Sequence, residues 1–345
     1  MRHNSKIIFL FAILFFAGSI VHAQTLGSSG VDPVQFIINP DIPGPNQQTT
    51  IEVQGVGTFL GDANITWQEN GKTVSAGVGL KTFTFTTGDI GVTTRIHVII
   101  NSSIQGTITR DFAFTPTRIN LVWEAKTSVP PMYLGKALYS AGSAVTVTAF
   151  PQVVVAGKTV SANNLSFQWS LNDTPNTEQS GTGHNVFSFQ GSQLNNGEQV
   201  SVDVYFGSAH VGQASMFIPA VDPEVLFYDK DPLRGVVYDQ AFPSTISLAG
   251  QEITVQAVPY YFANESLASG ETSYAWQLNG SDTSGPDSAN GILTLRQSGS
   301  GAGQANLSVQ VQDADPTQFV QVAQAVLTII FGGQASASNS SAFGL

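Results

Sequence analysis

The 345-residue sequence contains no cysteine and little charge. Without cysteine, no disulfide can stabilise the chain and no zinc site can use thiolate ligands. Charged residues make up 11%, with 13 Lys and Arg against 24 Asp and Glu, which gives a formal net charge of −11. An acidic surface repels phosphate backbones and anionic lipid head groups, so the sequence predicts no binding to nucleic acid or membrane surfaces.

Long hydrophobic runs are also missing after the first residues. Residues 7–17 form an apolar run that is well short of the ~20 residues needed to span a membrane. Arg2 and Lys6 accompany this run and Val-His-Ala (21–23) follows it, which predicts a secretory signal peptide over residues 1–23. An uncleaved anchor is the alternative. We expect a secreted or extracytoplasmic protein at the cell surface, with a flexible lead-in over 24–33 and no membrane insertion after cleavage.

A tryptophan-centred segment occurs three times. It reads NITWQENG (64–71), SFQWSLND (166–173) and SYAWQLNG (273–280), so Trp67, Trp169 and Trp276 share one place. Apolar and polar residues alternate around each Trp, which is typical of a strand with one buried face. The Asn-Gly or Asn-Asp pair that follows favours a tight turn with positive φ. We predict that the three Trp side chains are core residues.

The spacing of the repeats predicts three domains. The Trp residues are about a hundred positions apart, the size of a β-sandwich domain. We place domain 1 at 34–117, domain 2 at 118–220 and domain 3 at 221–331, followed by a disordered tail at 332–345. No apolar period of three to four residues persists after the leader, so we predict an all-β fold.

The repeats resemble tandem immunoglobulin-like and PKD-like β-sandwich domains of bacterial proteins. Each Trp matches the strand C tryptophan of such domains, and Val202 and Val309 follow 33 positions later at the strand F core position. In domain 1 we match Ile96, 29 positions after its Trp. The resemblance implies sandwiches in which Val53, Val147 and Val255 stand where disulfide-bearing members place their first cysteine.

Catalytic chemistry has no recognisable motif in this sequence. Only His97, His184 and His210 follow the leader, and none lies in a nucleophile or metalloprotease motif. His97 alternates within a predicted strand, and the other two lie in predicted loops. We predict that the protein is not an enzyme and binds no organic cofactor.

Carboxylates near the domain 2/3 boundary form a candidate calcium site. Asp222 and Glu224 precede the first strand of domain 3, and Asp313 and Asp315 lie in its predicted F–G loop. These segments meet at one end of an Ig-like sandwich, and Ca²⁺ prefers oxygen ligands. Solvated turn residues are the alternative reading.

Aromatic residues outside the repeats are candidates for a ligand surface. Tyr260, Tyr261 and Phe262 are adjacent near a predicted loop, and Trp123 lies in a predicted edge strand. Exposed and coplanar rings at either place would indicate an exported carbohydrate-binding protein.

The sequence therefore favours a secreted or cell-surface structural or adhesion protein without enzymatic activity. It would act as a multi-domain spacer or interaction rod. Envelope or surface proteins are the expected partners, with glycans as a further class. Exposed edge strands, such as the one predicted over residues 108–114, could add to a partner's sheet.

Overall fold

A computed structural model describes residues 33–55, 59–192, 196–269, 272–313 and 320–332. The predicted signal peptide, residues 24–32 of the lead-in and residues 333–345 of the tail lie outside this part of the chain. The described residues fold into three successive β-sandwiches. The all-β prediction is confirmed.

Sandwich 1 is formed by residues 34–114. Its elements are β1 (Val34–Asn39), β2 (Gln48–Gly55), α1 (Phe59–Asp62), β3 (Asn64–Glu69), β4 (Lys72–Val78), β5 (Thr82–Thr86), β6 (Thr94–Ser102) and β7 (Gly106–Phe114). One sheet has the order β1-β2-β5 and the other has the order β4-β3-β6-β7.

Sandwich 2 repeats this arrangement over residues 118–219. Its strands are β8 (Arg118–Ala125), β9 (Ala144–Gln152), β10 (Val154–Val155), β11 (Lys158–Thr159), β12 (Ser166–Leu171), β13 (Thr174–Thr182), β14 (Val186–Gln190), β15 (Gly197–Phe206) and β16 (Ala209–Pro219). The two main sheets have the orders β14-β9-β8 and β13-β12-β15-β16, and β10 and β11 form a separate hairpin.

Sandwich 3 is formed by residues 224–331. Its elements are β17 (Glu224–Asp231), β18 (Gly235–Val236), β19 (Thr245–Ser247), β20 (Glu252–Tyr260), α2 (Asn264–Ser269), β21 (Thr272–Leu278), β22 (Ser281–Thr283), β23 (Ile292–Arg296), β24 (Gly303–Asp313) and β25 (Val322–Phe331). Its sheets have the orders β18-β17-β20-β23 and β19-β25-β24-β21-β22.

The shared sheet order is that of immunoglobulin-like sandwiches. In each unit the first, second and fifth main strands form one sheet, and the remaining four form the other. Alternate residues of both sheets point inward and form a separate apolar core for each sandwich. The chain is therefore a tandem of three Ig-like β-sandwiches, as the resemblance implied.

The repeated tryptophans lie in the three cores with the same partner. Trp67, Trp169 and Trp276 are 0%, 0% and 3% exposed. Their Nε1 atoms donate to backbone carbonyl oxygens in the connection that follows the neighbouring strand, at 2.9, 2.8 and 3.0 Å. A buried indole N–H needs an acceptor, and the fold supplies the same one three times.

The strand register corrects one sequence match. Trp169 pairs with Val202 and Trp276 with Val309, as expected, but Trp67 pairs with Val98 and not with Ile96. Both residues are buried on the same face of β6, so alternation alone could not separate them.

The predicted tight turns are confirmed. Asn70, Asn172 and Asn279 have φ of 48°, 49° and 54°, and positive φ continues at the next residue. Each Asn also links its turn to the adjacent strand. Its backbone N–H donates to the carbonyl oxygen of one residue near the start of that strand, and its Oδ1 accepts from the N–H of the same residue. That residue is Arg95, Gln199 or Asn306, and the side-chain bonds measure 3.0, 2.9 and 2.8 Å.

Candidate functional site at the junction of sandwiches 2 and 3

The long loop between β8 and β9 (residues 126–143) leaves sandwich 2 and lies against sandwich 3. Ser128 makes the central contact. Its N–H donates to Phe262 O at 2.7 Å, and its carbonyl accepts from Tyr261 N–H at 2.8 Å. Its hydroxyl donates to Pro259 O and accepts from Phe262 N–H, both at 3.1 Å. One residue thus adds a short strand-like connection between the two sandwiches.

A second connection is formed by Ser140 and Gln321. The Ser140 hydroxyl donates to Tyr261 O at 2.5 Å and accepts from Gln321 Nε2 at 2.9 Å. Gln321 Nε2 also donates to Ala141 O at 2.9 Å, while its Oε1 accepts from Ala263 N–H at 2.7 Å. Ser140 and Gln321 are 0% and 2% exposed. Their polar groups are satisfied across the junction, as buried polar groups must be.

Tyrosine side chains fill the space beside these hydrogen bonds. Five of the eight tyrosines in the chain, Tyr133, Tyr228, Tyr238, Tyr260 and Tyr261, form one cluster. Their ring centroids are 5.5 to 5.9 Å apart in tilted or edge-on pairs. The Tyr133 and Tyr261 hydroxyls are 3.2 Å apart, and the Tyr228 and Tyr260 hydroxyls also share a hydrogen bond. We call this group the tyrosine cluster.

The cluster covers the outer face of the first sheet of sandwich 3. Leu226, Tyr228, Val258 and Tyr260 alternate with core residues along β17 and β20, so this sheet is apolar on both faces. Val129 and Leu138 from the β8–β9 loop pack onto the outer face. A domain interface that is apolar and hydrogen-bonded holds its domains in one orientation, whereas a small polar one does not.

Burial favours the neutral form of three phenol groups of the cluster, those of Tyr238, Tyr260 and Tyr261, by raising their pKa values. It raises the pKa of Tyr261 to about 12, with hydrogen bonding to Tyr133 as the next cause. Burial and the hydrogen bond to Tyr228 raise the pKa of Tyr260 as well. Neutral phenols can donate and accept hydrogen bonds but offer no general base near neutral pH. The phenol groups therefore help to hold the two sandwiches together and do not supply a general base.

The tip of the β8–β9 loop is exposed and apolar. Met132 and Leu134 are 96% and 101% exposed, and Met132 has φ of 62°, which is unusual for a residue with a side chain. Tyr133 between them is anchored in the tyrosine cluster. Gly135 packs so closely on the Tyr133 ring that a Cβ there would lie 2.5 Å from it. The tip is thus anchored to the junction through Tyr133.

Three of the four residues of the predicted ligand surface are buried. Tyr260, Tyr261 and Phe262 are 5%, 8% and 0% exposed because sandwich 2 and the core of sandwich 3 cover them. Trp123 is half-buried against the core of sandwich 2, and Lys136 Nζ lies 3.2 Å above its ring centroid. Burial lowers the pKa of this lysine. Neither place offers the coplanar exposed pair that a carbohydrate-binding surface requires.

The candidate calcium ligands are spread over different environments. Asp222 and Glu224 are exposed, whereas Asp313 is 1% exposed at the end of β24. Asp315 lies outside the described residues. Within the described ranges, no group of three or more His, Asp or Glu side chains is placed to hold a metal ion. The calcium site stays a prediction that depends on the undescribed loop.

Two of the histidines, His97 and His210, contact carboxylates at the surface. His97 Nδ1 is 2.7 Å from Asp111 Oδ1, and His210 Nε2 is 3.0 Å from Asp203 Oδ1. His210 lies in β16, not in a loop as predicted, because the hairpin that carries it turns at residues 207–208. These contacts join neighbouring strands of one sheet, where such pairs contribute little to stability.

Sequence reasoning missed Ser128, Ser140 and Gln321, because nothing in a single sequence marks a polar residue as interdomain. Another part of the sequence did contain a sign of the interdomain contact. The runs VLFY (225–228) and AVPYYF (257–262) do not alternate, and strands without alternation are buried on both faces. That pattern indicated a covered outer face on sandwich 3.

The junction of sandwiches 1 and 2 is built differently from the junction of sandwiches 2 and 3. Thr117 Oγ1 donates to Val211 O at 2.6 Å, and Gly91 N–H donates to Pro116 O at 2.9 Å. Gly91 also lies against the side chain of Val154, where a Cβ would be 2.6 Å away. These contacts are made by the connecting residues 115–117 and by the loop that contains Gly91. They contrast with the apolar cluster that lies between sandwiches 2 and 3.

Comparisons with known proteins found similarity to solved structures. No protein-family model matches the chain, and no curated protein matches it. Among solved structures, the chain is similar to the three N-terminal domains of the bacteriophage RB49 highly immunogenic outer capsid protein, with 14% identity and a TM-score of 0.26. The match covers 86% of this chain and 98% of that one.

Two further structures are similar to the same extent. The central fibronectin-III array of RIM-binding protein is 12% identical, with a TM-score of 0.28 and coverage of 90% and 100% of the two chains. A structure from a 1.5-MDa bacterial ice-binding adhesin is 14% identical, with a TM-score of 0.23 and coverage of 86% and 97%. At such low scores, the fold assignment rests on the sheet order of each sandwich.

Proposed function

We propose that this chain is a secreted or cell-surface protein without enzymatic activity that acts as a spacer and interaction rod. The observation that carries the proposal is the junction of sandwiches 2 and 3. Its hydrogen bonds and its tyrosine cluster join the two sandwiches, which supports a rigid unit. A rod that presents a contact surface at a fixed distance needs such a joint. An enzyme would need a cleft with reactive groups instead.

The exposed tip of the β8–β9 loop is the contact element in this proposal. Exposed apolar side chains at a loop tip can contribute to an interaction surface. Met132 and Leu134 are two such side chains on a loop that is anchored through Tyr133, so less conformational entropy is lost on binding. The expected partner is a protein of the cell envelope or surface.

Location outside the cytoplasm is supported by the signal-peptide pattern at residues 1–23. No helix among the described residues is long and apolar enough to cross a membrane. The role in adhesion is part of the proposal that the chain acts as a spacer and interaction rod.

Adhesion can be tested with beads coated with the purified protein from residue 24 onward. Beads that carry the double variant Met132→Ser and Leu134→Ser should bind fewer cells of the source organism than wild-type beads. Leu233→Ser is the matched control, because Leu233 is 97% exposed on another loop. Equal binding by all three proteins would remove the loop from the proposal. No binding even by the wild type would remove the adhesive role.

A further inference from the structure

The outer face of the first sheet of sandwich 2 carries three exposed apolar side chains. Val122, Phe150 and Val186 are 56%, 52% and 47% exposed. Val122 and Val186 lie in one row across the sheet, on either side of Thr148, and Phe150 follows two residues along β9. Strands are spaced by about 4.8 Å and alternate residues of a strand by about 7 Å, so the three side chains lie within about 10 Å of one another. We call them the sandwich 2 patch.

A repeated pair of hydroxyl groups shows which residues of the other sandwiches correspond to this patch. In each sandwich a hydrogen bond of 2.9 or 3.0 Å joins two hydroxyls across the same two strands, namely Thr50 and Thr84, Thr146 and Ser188, and Thr254 and Thr294. The strand register counted from these pairs gives the counterparts of the patch residues. They are Ile37, Gln54 and Thr82 in sandwich 1 and Tyr228, Val258 and Ile292 in sandwich 3.

In sandwich 3 the equivalent face is the one that the β8–β9 loop covers. Tyr228 and Val258 are only 4% and 8% exposed, and Val129 and Leu138 of the loop pack against the cluster that contains them. The loop has eighteen residues (126–143), which is long enough to reach the next sandwich. This face of a sandwich therefore already binds apolar side chains of this loop within the chain.

The corresponding loop of sandwich 1 is short and stays on its own sandwich. It has eight residues (40–47). Asn46 N–H donates to Gly88 O at 2.9 Å, and Gln47 O accepts from Thr87 N–H at 3.0 Å. The loop that would cover the sandwich 2 patch by analogy with sandwich 3 is thus held elsewhere, and the patch stays exposed.

The tip of the β8–β9 loop is the matching apolar element. Met132 and Leu134 are two positions apart and almost fully exposed, so they do not touch the patch of their own molecule. The tip and the patch lie at different places on one chain. When such surfaces meet, each copy uses its tip for one neighbour and its patch for another, which is a heterologous contact.

We propose that the tip of the β8–β9 loop of one copy binds the sandwich 2 patch of a second copy, so that the chains assemble head to tail. This inference rests on the proposed role of the tip as the contact element and names this same chain as its partner. Both copies carry a formal net charge of −11, so they repel each other at low salt. Because the contact is apolar, association should become stronger as salt screens this repulsion.

Sedimentation velocity of the purified protein tests the assembly at concentrations up to roughly 1 mM, since a small contact is weak. The tip variant is Met132→Ser with Leu134→Ser, and the patch variant is Val122→Thr with Phe150→Thr and Val186→Thr. Each should weaken association by at least about tenfold, because the apolar area that the contact buries is lost. Ile37→Thr is the matched control, since Ile37 is 46% exposed at the place in sandwich 1 that corresponds to Val122, and it should associate like the wild type.

Mixing the two variants gives the sharper result. The tip variant keeps its patch and the patch variant keeps its tip, so the mixture should form dimers of one copy of each and no longer assemblies. Such dimers would also show that both variants are folded. A wild type that stays monomeric, a mixture without dimers, or undiminished association of either variant would overturn the inference.

The bead assay separates this inference from the proposed function. Tip-dependent cell binding by a protein that stays monomeric would refute head-to-tail assembly and leave the adhesive role in place. Assembly without cell binding would support the contact between copies and refute the adhesive role.

Discussion

Replacing Gln321 by leucine tests the junction at its most connected side chain. The side chain of Gln321 makes three hydrogen bonds, one to Ala263 within sandwich 3 and two to Ser140 and Ala141 of sandwich 2. Leucine has a similar size and can make none of them. The backbone N–H of Ala263 would be left buried without an acceptor, because Ala263 is only 7% exposed.

The expected cost follows from these contacts. One orphaned buried N–H costs roughly 1–3 kcal/mol, and each of the other two lost bonds costs about 0.5–1.5 kcal/mol. The sum is roughly 2–6 kcal/mol. For a unit of about two hundred residues, each kcal/mol lowers Tm by about 2–4 °C. A loss of about 3 kcal/mol would therefore lower Tm by about 6–12 °C.

Calorimetry and hydrogen exchange of the full chain provide the measurement. In the wild type, sandwiches 2 and 3 should unfold in one transition, and in Gln321→Leu that transition should shift down and broaden or split. Exchange should increase in β9 as well as in β24, because the lost bonds join both sandwiches. Gln324→Leu is the control, since Gln324 lies three residues later in β25 and is exposed. A shift below about 1 °C, or an equal shift in the control, would refute the reasoning.

Three further predictions concern the turns, the tyrosines and calcium. Asn172→Gly should destabilise its sandwich more than Asn70→Gly or Asn279→Gly destabilises its own. The additional loss should be roughly 1–3 kcal/mol, because this variant also removes a hydrogen-bond donor from the buried Glu198 carboxylate. Equal losses of unfolding free energy in domain-resolved denaturation would contradict this prediction. The pKa of Tyr261 is raised to about 12, so the neutral phenol stabilises the fold below pH 10 and this contribution is lost as the pH rises from 10 to 12. Alkaline unfolding should therefore shift to higher pH in Tyr261→Phe, and an unshifted midpoint would count against a buried phenol. If the carboxylates predicted from the sequence bind calcium, the melting temperature should rise in millimolar Ca²⁺ and fall with a chelator; identical melts in both would dismiss the site.

Much of the fold could be predicted from the sequence because it depends on local patterns. Alternation around Trp67, Trp169 and Trp276 defines strands with one buried face, and the following Asn pairs define turns with positive φ. These features need no knowledge of distant residues. The confirmed turns have a second role that the pattern did not reveal, since their Asn side chains also bond to the adjacent strand.

The junction could not be predicted in the same way because its geometry depends on which loop of one sandwich meets which face of the next. The β8–β9 loop has no periodicity, and Ser128 and Ser140 are ordinary loop residues by composition. Tyr260 and Tyr261 were interpreted as a ligand surface because they lie near a predicted loop. Their burial is produced by residues more than a hundred positions earlier in the chain.

The central claim is that sandwiches 2 and 3 form one rigid unit to which sandwich 1 is joined more loosely. The most direct measurement is the distance distribution between spin labels in the full chain, since labels can be placed on single engineered cysteines. Thr84, Gln168 and Gln310 are exposed strand residues in sandwiches 1, 2 and 3. The pair at 168 and 310 should give one narrow distribution, and the pair at 84 and 168 a broader one. Equally broad distributions for both pairs would contradict the account.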